Sequence, residues 1–278
     1  MVTTPSDDLI TDYLTHLQVA RRRAPKTLKT YGSILRQADR QLPSGLAGAH
    51  RLELQAWLAR CRTASTQQLR TVAIRGFMRW ATDEIDELDF DPTVRIELPR
   101  KPRKVPKPAT TQQVDTILAR APDPVWLWAL LASHAGLRCI EISRLHRRDV
   151  DEQQIYVVGK GDHERIVPTH EAIWQAVRDL DDEPITHLSG DDISNRGWAV
   201  IRRDLGLRTS MHPLRGWFAT SLWDSGVDLE TIRRLLGHAS LATTQAYLGL
   251  SPTRMRAAVS ALPTIAGAAG ARRQPAAA

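Results

Sequence analysis

Apolar positions recur at helical spacing through residues 1–90. The stretch "DDLITDYLTHLQVA" places Leu9, Ile10, Tyr13, Leu14 and Leu17 on one stripe, and "TLKTYGSILRQA" does the same with Leu28, Tyr31, Ile34 and Leu35. A third segment runs from about Arg51 to Cys61, and a fourth passes through Leu69, Val72, Ala73, Phe77 and Trp80. Four short amphipathic helices predict a compact bundle.

The pattern then breaks. Residues 91–108, "DPTVRIELPRKPRKVPKP", hold five prolines and six Lys or Arg. Proline lacks the N–H donor and φ freedom that helix interiors and central strands require, which predicts an extended linker. Its cations either line a phosphate backbone or are the solvated face of a hinge. Helical spacing resumes in "ATTQQVDTILAR". Asp123-Pro124 is expected to cap a helix through Trp126 and Leu130 that Gly136 ends, and another is expected from about Arg138 to Leu145. "IYVVGKGDHERIVP" sets two β-rich runs around Gly159-Lys160-Gly161-Asp162, a hairpin signal. Helical segments follow at about 170–180, 193–204, 213–225 and 229–236, and the Ala-rich end from Ala266 is expected to be disordered.

Length and charge narrow the class. A chain of 278 residues suggests two domains. The longest apolar run, Val125 to Ala132, is too short to cross a bilayer, and no basic flank precedes an apolar core at the N-terminus. Cys61 and Cys139 lie far apart without metal-ligand spacing, so reduced thiols, no metal site and a cytoplasmic location are expected. The net charge of +7 is uneven: residues 1–108 carry 19 Lys+Arg against 12 Asp+Glu, and residues 109–278 carry 19 of each. A basic N-terminal module points to a polyanion, with nucleic acid first among candidates, although solubility alone also accounts for a modest surplus.

Several side chains suit phosphate chemistry. His212 and Arg215 lie three apart on one side of a helix that Pro213 is expected to open, whose N-terminal dipole and free N–H groups suit an anion; a capping His and a surface Arg are the plainer reading. Arg138 follows the break at Gly136-Leu137, where it either pairs with Glu141 one turn on or aims a planar fork at an anion. Lys160 is the only lysine in residues 109–278, against 18 arginines there, and sits between two glycines. Lysine, unlike arginine, can yield a proton near neutral pH, although one residue is also within chance. His238 and Tyr247 stand nine apart, and a continuous helix would send them to opposite sides. Gly237 ends one helix, and Ser240 or Thr243-Thr244 can cap the next, which permits a shared pocket; a core aromatic is the alternative for Tyr247.

"AGLRCIEISRL", "VVGKGDHERIVP", "HPLRGWFAT" and "LLGHASLATTQAYL", in this order, resemble the tyrosine recombinase (phage integrase) family over nearly the whole chain. The family pattern of Arg, Lys, His-x-x-Arg, His or Trp, then Tyr falls on Arg138, Lys160, His212, Arg215, His238 and Tyr247. The resemblance implies a mainly α chain: an N-terminal four-helix SAM-like core-binding domain over residues 1–90, the linker 91–108, and an α-rich catalytic domain with a small antiparallel sheet over residues 109–250. A C-terminal docking helix at 251–265 and a disordered tail at 266–278 follow, in a compact form without an arm-binding domain.

The activity implied is site-specific DNA recombination. Tyr247 would attack a phosphodiester and keep its bond energy as a 3′-phosphotyrosyl link, while Arg138 and Arg215 clamp the pentavalent centre. His212 and His238 would donate hydrogen bonds or handle the tyrosine proton, Lys160 would protonate the departing 5′ oxygen, and Glu141 would orient the pocket. No metal, ATP or other cofactor is implied. The implied partners are duplex attachment sites, three further protomers in a tetrameric synapse that passes through a Holliday junction, and an accessory directionality factor. The docking helix, with Met255, Val259 and Leu262 on one stripe, is expected to reach a neighbouring protomer rather than its own domain. Two positions depart from the family: Gly216 stands where many members have His, and His163 replaces a frequent basic residue, which puts one phosphate contact in doubt. An integrase is preferred over an Xer-type dimer resolvase. A type IB topoisomerase needs no docking tail, and a catalytically silent DNA-binding protein fits poorly with an intact residue set.

Overall fold

The computed structural model describes residues 6–100, 107–159, 163–238, 240, 244, 260 and 261. Lys160, Tyr247 and the tail 266–278 lie outside the described residues, as does the 251–265 segment apart from residues 260 and 261. The chain divides into two compact units, Met1–Lys104 and Val105–Ala278.

The first unit is four helices: α1 (Ser6–Val19), α2 (Pro25–Gln41), α3 (Arg51–Ala59) and α4 (Ala64–Asp83). Thr63 opens α4 by accepting from the Thr66 N–H at 3.2 Å, and His50 opens α3 in a reciprocal capping box with Glu53. Ile10, Leu35, Leu54, Trp57, Phe77 and Met78 form the centre of the core. Tyr13 packs edge-on to Phe77 with centroids 5.7 Å apart, and burial pushes its hydroxyl up to about 12. One expectation is corrected here. Ala73, Phe77 and Trp80 are buried as expected, but Leu69 and Val72 are exposed, and α4 buries Ile74, Met78 and Ala81 in their place. The helix carries apolar residues on more than one side, and the wider i, i+3, i+4, i+7 set won the core. Beyond α4, Asp91 accepts from the Thr93 N–H and hydroxyl at 2.7 and 2.6 Å, and Thr93 and Ile96 are buried, Ile96 within this unit's core.

Near the start of the second unit the Ala109 N–H donates to Pro213 O at 2.9 Å. Thr110 and Gln113 make a capping box for α5 (Thr111–Arg120). Next comes α6 (Val125–His134), which buries Val125, Trp128, Ala129, Leu130, Leu131 and Ala132 and is the unit's central element. Pro124 occupies its N-cap with no side-chain capping bond, so Asp123 does not cap it. The segment after Arg138 is one turn, α7 (Cys139–Ile142), shorter than expected because the chain tightens: Arg144 and Leu145 donate to carbonyls only three residues back.

A 3₁₀ turn, Arg147–Asp149, leads to β1 (Gln154–Val158) and β2 (Glu164–Pro168), an antiparallel pair with Ile155 opposite Val167 and Val157 opposite Arg165 on the inward face. Then follow α8 (Glu171–Val177), α9 (Gly190–Ala199) with a π turn at Val200–Asp204, α10 (Met211–Asp224) and α11 (Leu229–Leu236). Pro213 is the third residue of α10, not the first; it still lies in the turn whose N–H groups have no helical partner, so its missing donor costs nothing there.

Candidate active site

Three separate elements deliver charge to one point. Arg138 stands at the N-cap of α7, Glu141 ends that helix's first turn, Arg165 lies on the inward face of β2, and Arg215 lies in the first turns of α10. Glu141 is the hub. Arg165 meets it with two parallel bonds, Nη1 to Oε1 and Nη2 to Oε2, both 2.9 Å. Arg138 donates Nη1 to Oε1 at 2.6 Å and its backbone N–H to Oε2 at 2.8 Å, and Arg215 brings Nη1 within 3.5 Å of Oε2. Burial alone would raise the Glu141 pKa, but the bonds and charge of Arg165, the Arg138 N–H and the Arg215 charge outweigh it and hold the carboxyl at about 2. Three guanidiniums surround one carboxylate, so the cluster is net positive and suits an anion.

The same arginines close the C-terminus of α11. Leu235 O accepts from Arg165 Nε at 2.9 Å, Leu236 O from Arg215 Nη2, and Gly237 O from Arg138 Nη2 at 3.4 Å. These carbonyls have no partner within the helix and carry its negative dipole end, so cations there are favoured. Arg215 also donates to Gly136 O, at the break that precedes Arg138. Gly237 stops α11 in the left-handed region at φ 61°, where a Cβ would also meet Arg165 Cδ at 3.0 Å. That stop turns the chain so that His238 follows directly.

His238 is buried and its Nδ1 lies 2.9 Å from the Thr244 hydroxyl. Burial, then the charges of Arg215, Arg138 and Arg165, lower its pKa to about 4, so the ring is neutral near pH 7. His212, second residue of α10, is exposed; the protein packed beside it nevertheless lowers its pKa, and Arg215 and Arg138 add to the shift. Two neutral imidazoles therefore stand in the field of two guanidiniums, each able to take or give a proton. A cleft of about 460 Å³ opens beside the cluster, lined by Arg138, Arg165, Gly237 and His238 with Gly159, His163 and Glu164 of the hairpin.

The structure thus brings together Arg138, His212, Arg215 and His238 of the expected set, with Glu141 among them. Arg165 was missed. Its signal was there: it is two residues before buried Val167, on the inward side of a strand, where a charge needs a partner. Thr244 was read only as a helix cap; its contact with His238 has no local sequence signal. Gly216 is buried within α10. Among the described residues no group of three or more His, Cys, Asp or Glu is arranged to hold a metal, and no helix is long and apolar enough to cross a membrane.

Two family models match this chain. The model of the Phage integrase family matches residues 108–254, and that of the phage integrase N-terminal SAM-like domain matches residues 10–85. The chain belongs to the phage integrase family. This family member is an enzyme of site-specific recombination, of the tyrosine recombinase class. It is 32% identical over 287 aligned positions to tyrosine recombinase XerC of Escherichia coli, covering 87% of this chain and 93% of that one. It is 30% identical over 277 positions to tyrosine recombinase XerA of Thermococcus onnurineus, covering 91% and 94%. In structure it is similar to a lambda integrase tetramer bound to a Holliday junction, with a TM-score of 0.71 at 19% identity over 87% of this chain and 76% of that one.

Proposed function

We propose that this phage integrase family member cuts and rejoins duplex DNA at specific sites through a 3′-phosphotyrosyl intermediate, with Tyr247 as the nucleophile. The observation that carries the reading is the grouping of Arg138 and Arg215 on Glu141, in one net-positive cluster whose charge reaches both His212 and His238, with His238 nine residues before Tyr247. In the reaction the Tyr247 oxygen bonds to phosphorus as the bond to the 5′ oxygen breaks. Arg138 and Arg215 balance the charge on the non-bridging oxygens, a neutral His takes the phenolic proton, and Lys160 protonates the leaving oxygen. The bond energy stays in the phosphotyrosyl link, so rejoining needs no ATP, and the guanidiniums supply the positive charge a metal would otherwise bring. The basic first unit and linker would embrace the duplex, with residues 1–90 as the core-binding domain, 109–250 as the catalytic one and 251–265 docking onto a neighbouring protomer. Four protomers would exchange strands through a Holliday junction in the cytoplasm, with a directionality factor setting the outcome.

Integration of a mobile element, as from a phage, is the first reading. A second, resolution of chromosome or plasmid dimers, is favoured by the XerC and XerA relatives. A nicked suicide duplex tests the chemistry: the parent protein should accumulate a covalent protein–DNA adduct, and Tyr247→Phe should form none. An adduct that persists in Tyr247→Phe would remove Tyr247 from its role. Sequencing the DNA beside the coding region separates the two uses, since an adjoining attachment site favours integration.

A further inference from the structure

Arg165 stands outside the family pattern of site residues, yet it bridges α7 and α11. Towards α7 it engages both Glu141 oxygens, Nη1 on Oε1 and Nη2 on Oε2; towards α11 its Nε donates to Leu235 O, and all three bonds are 2.9 Å. A carboxylate gripped at both oxygens by one planar fork is held against rotation about its Cγ–Cδ bond. Its remaining lone pairs are therefore aimed. Oε1 takes Arg138 Nη1 at 2.6 Å, and Oε2 takes the Arg138 N–H at 2.8 Å. Of the three guanidiniums on Glu141, that of Arg138 has the most open side chain, 31% exposed against 10% for Arg165 and 2% for Arg215. Arg165 also takes up carboxylate charge that would otherwise fall to Arg138.

We propose that Arg165 is a positioning residue for the scissile phosphate: by holding both oxygens of Glu141 it orients the Arg138 guanidinium at the cleft and leaves the Arg138 charge free to balance the phosphate. The proposal rests on the reading of Arg138 as a phosphate clamp. Arg165 acts through Glu141 rather than on the substrate. The role needs arginine, because a lysine ammonium keeps the charge but cannot meet two oxygens in one plane, and the carboxylate is then free to turn. Misplacing a substrate-positioning group by about 1 Å can cost about 10²-fold.

The test is single-turnover cleavage of the nicked suicide duplex at saturating protein, per folded molecule, in two double-mutant cycles. Arg138→Ala should be slowed by about 10²–10³-fold. Arg165→Lys should be slowed by about 10-fold or more in the parent. In the Arg138→Ala background the same substitution should cost less than about 3-fold, because the group it orients is gone. An equally small loss is expected in Glu141→Gln, whose amide offers one acceptor where Arg165 needs two. A general folding defect would slow all three backgrounds alike, and a direct bond from Arg165 to the phosphate would keep its effect in Glu141→Gln. Either result overturns the proposal, as does Arg165→Lys at the parent's rate, and each leaves the Arg138 reading standing. Arg165→Gln carries the same expectations and keeps the test decisive if the lysine variant folds poorly. Arg138→Ala at the parent's rate removes the clamp reading and the proposal together.

Discussion

Glu141 and Arg165 meet through two parallel bonds of 2.9 Å each, with the Glu141 side chain wholly buried and that of Arg165 10% exposed. A buried carboxylate is tolerable only when its charge is matched, and here the match fixes its ionisation at about 2 against an ordinary 4.5. The unfolded chain therefore takes up this proton at a higher pH than the folded one. Stability from the Glu141 charge is complete above about pH 5 and is lost as pH falls towards 2, on the order of 3 kcal/mol in all. Denaturant unfolding between pH 7 and 3 should show this loss, and Glu141→Gln should be less stable at pH 7 and flatter across that window. A Gln variant with the same pH profile as the parent would show that the charge is not matched as described.

Arg138 and Arg215 share chemistry but differ in setting. The Arg215 side chain is 2% exposed and joins Gly136 O and Leu236 O, whereas that of Arg138 is 31% exposed at the cleft. Arg138→Ala should slow cleavage by about 10²–10³-fold, as loss of one anion-stabilising donor does, with a melting temperature near the parent's. Arg215→Ala should lose cleavage and also several degrees of melting temperature, since it leaves Glu141 and two carbonyls short of a buried partner. Calorimetry beside the suicide-substrate assay separates the two; equal melting losses would contradict the assigned settings.

The helices and the hairpin were legible because their periods are local: Leu9 to Leu17, and the alternation from Ile155 to Val167, need no knowledge of the partner. What failed was decided at a distance. Leu69 and Val72 look as buriable as Ile74 until α4 has neighbours. Nothing near Val200 announces the π turn in what reads as one helix. Arg138, His212, Arg215 and His238 were legible as a set through family spacing; for Arg165 only its inward position on the strand was legible, since its partner Glu141 lies 24 positions away and only the folded hairpin joins them.

His238 should titrate far below an ordinary imidazole. Its pKa of about 4, against 6.5, follows from burial and from three nearby guanidiniums. The unfolded chain binds the proton first, so the stabilising contribution of neutral His238 is complete above about pH 7 and is lost as pH falls through 6.5 towards 4. NMR of ring-labelled histidine should place its midpoint near 4, with the resonance identified by its absence in His238→Asn. A midpoint near 6.5 would mean that the ring is not enclosed by the arginines.

Gly237 and Gly226 offer a comparison between backbone strain and a crowded site. Both have positive φ, 61° and 95°, but a Cβ at Gly226 meets nothing within 4 Å, while one at Gly237 meets Arg165 Cδ at 3.0 Å. Gly226→Ala should therefore cost only the strain of the backbone, about 1–2 kcal/mol, and leave cleavage per folded molecule unchanged. Gly237→Ala adds a shift of Arg165 and so of Glu141 and Arg138. Its cleavage rate should fall several-fold beyond any loss of folded protein. The measurement is single-turnover cleavage normalised to the folded fraction at a temperature where both variants are native. Equal normalised rates for the two alanine variants would show that Arg165 can move without disturbing Arg138, and that the link through Glu141 does not reach the cleft.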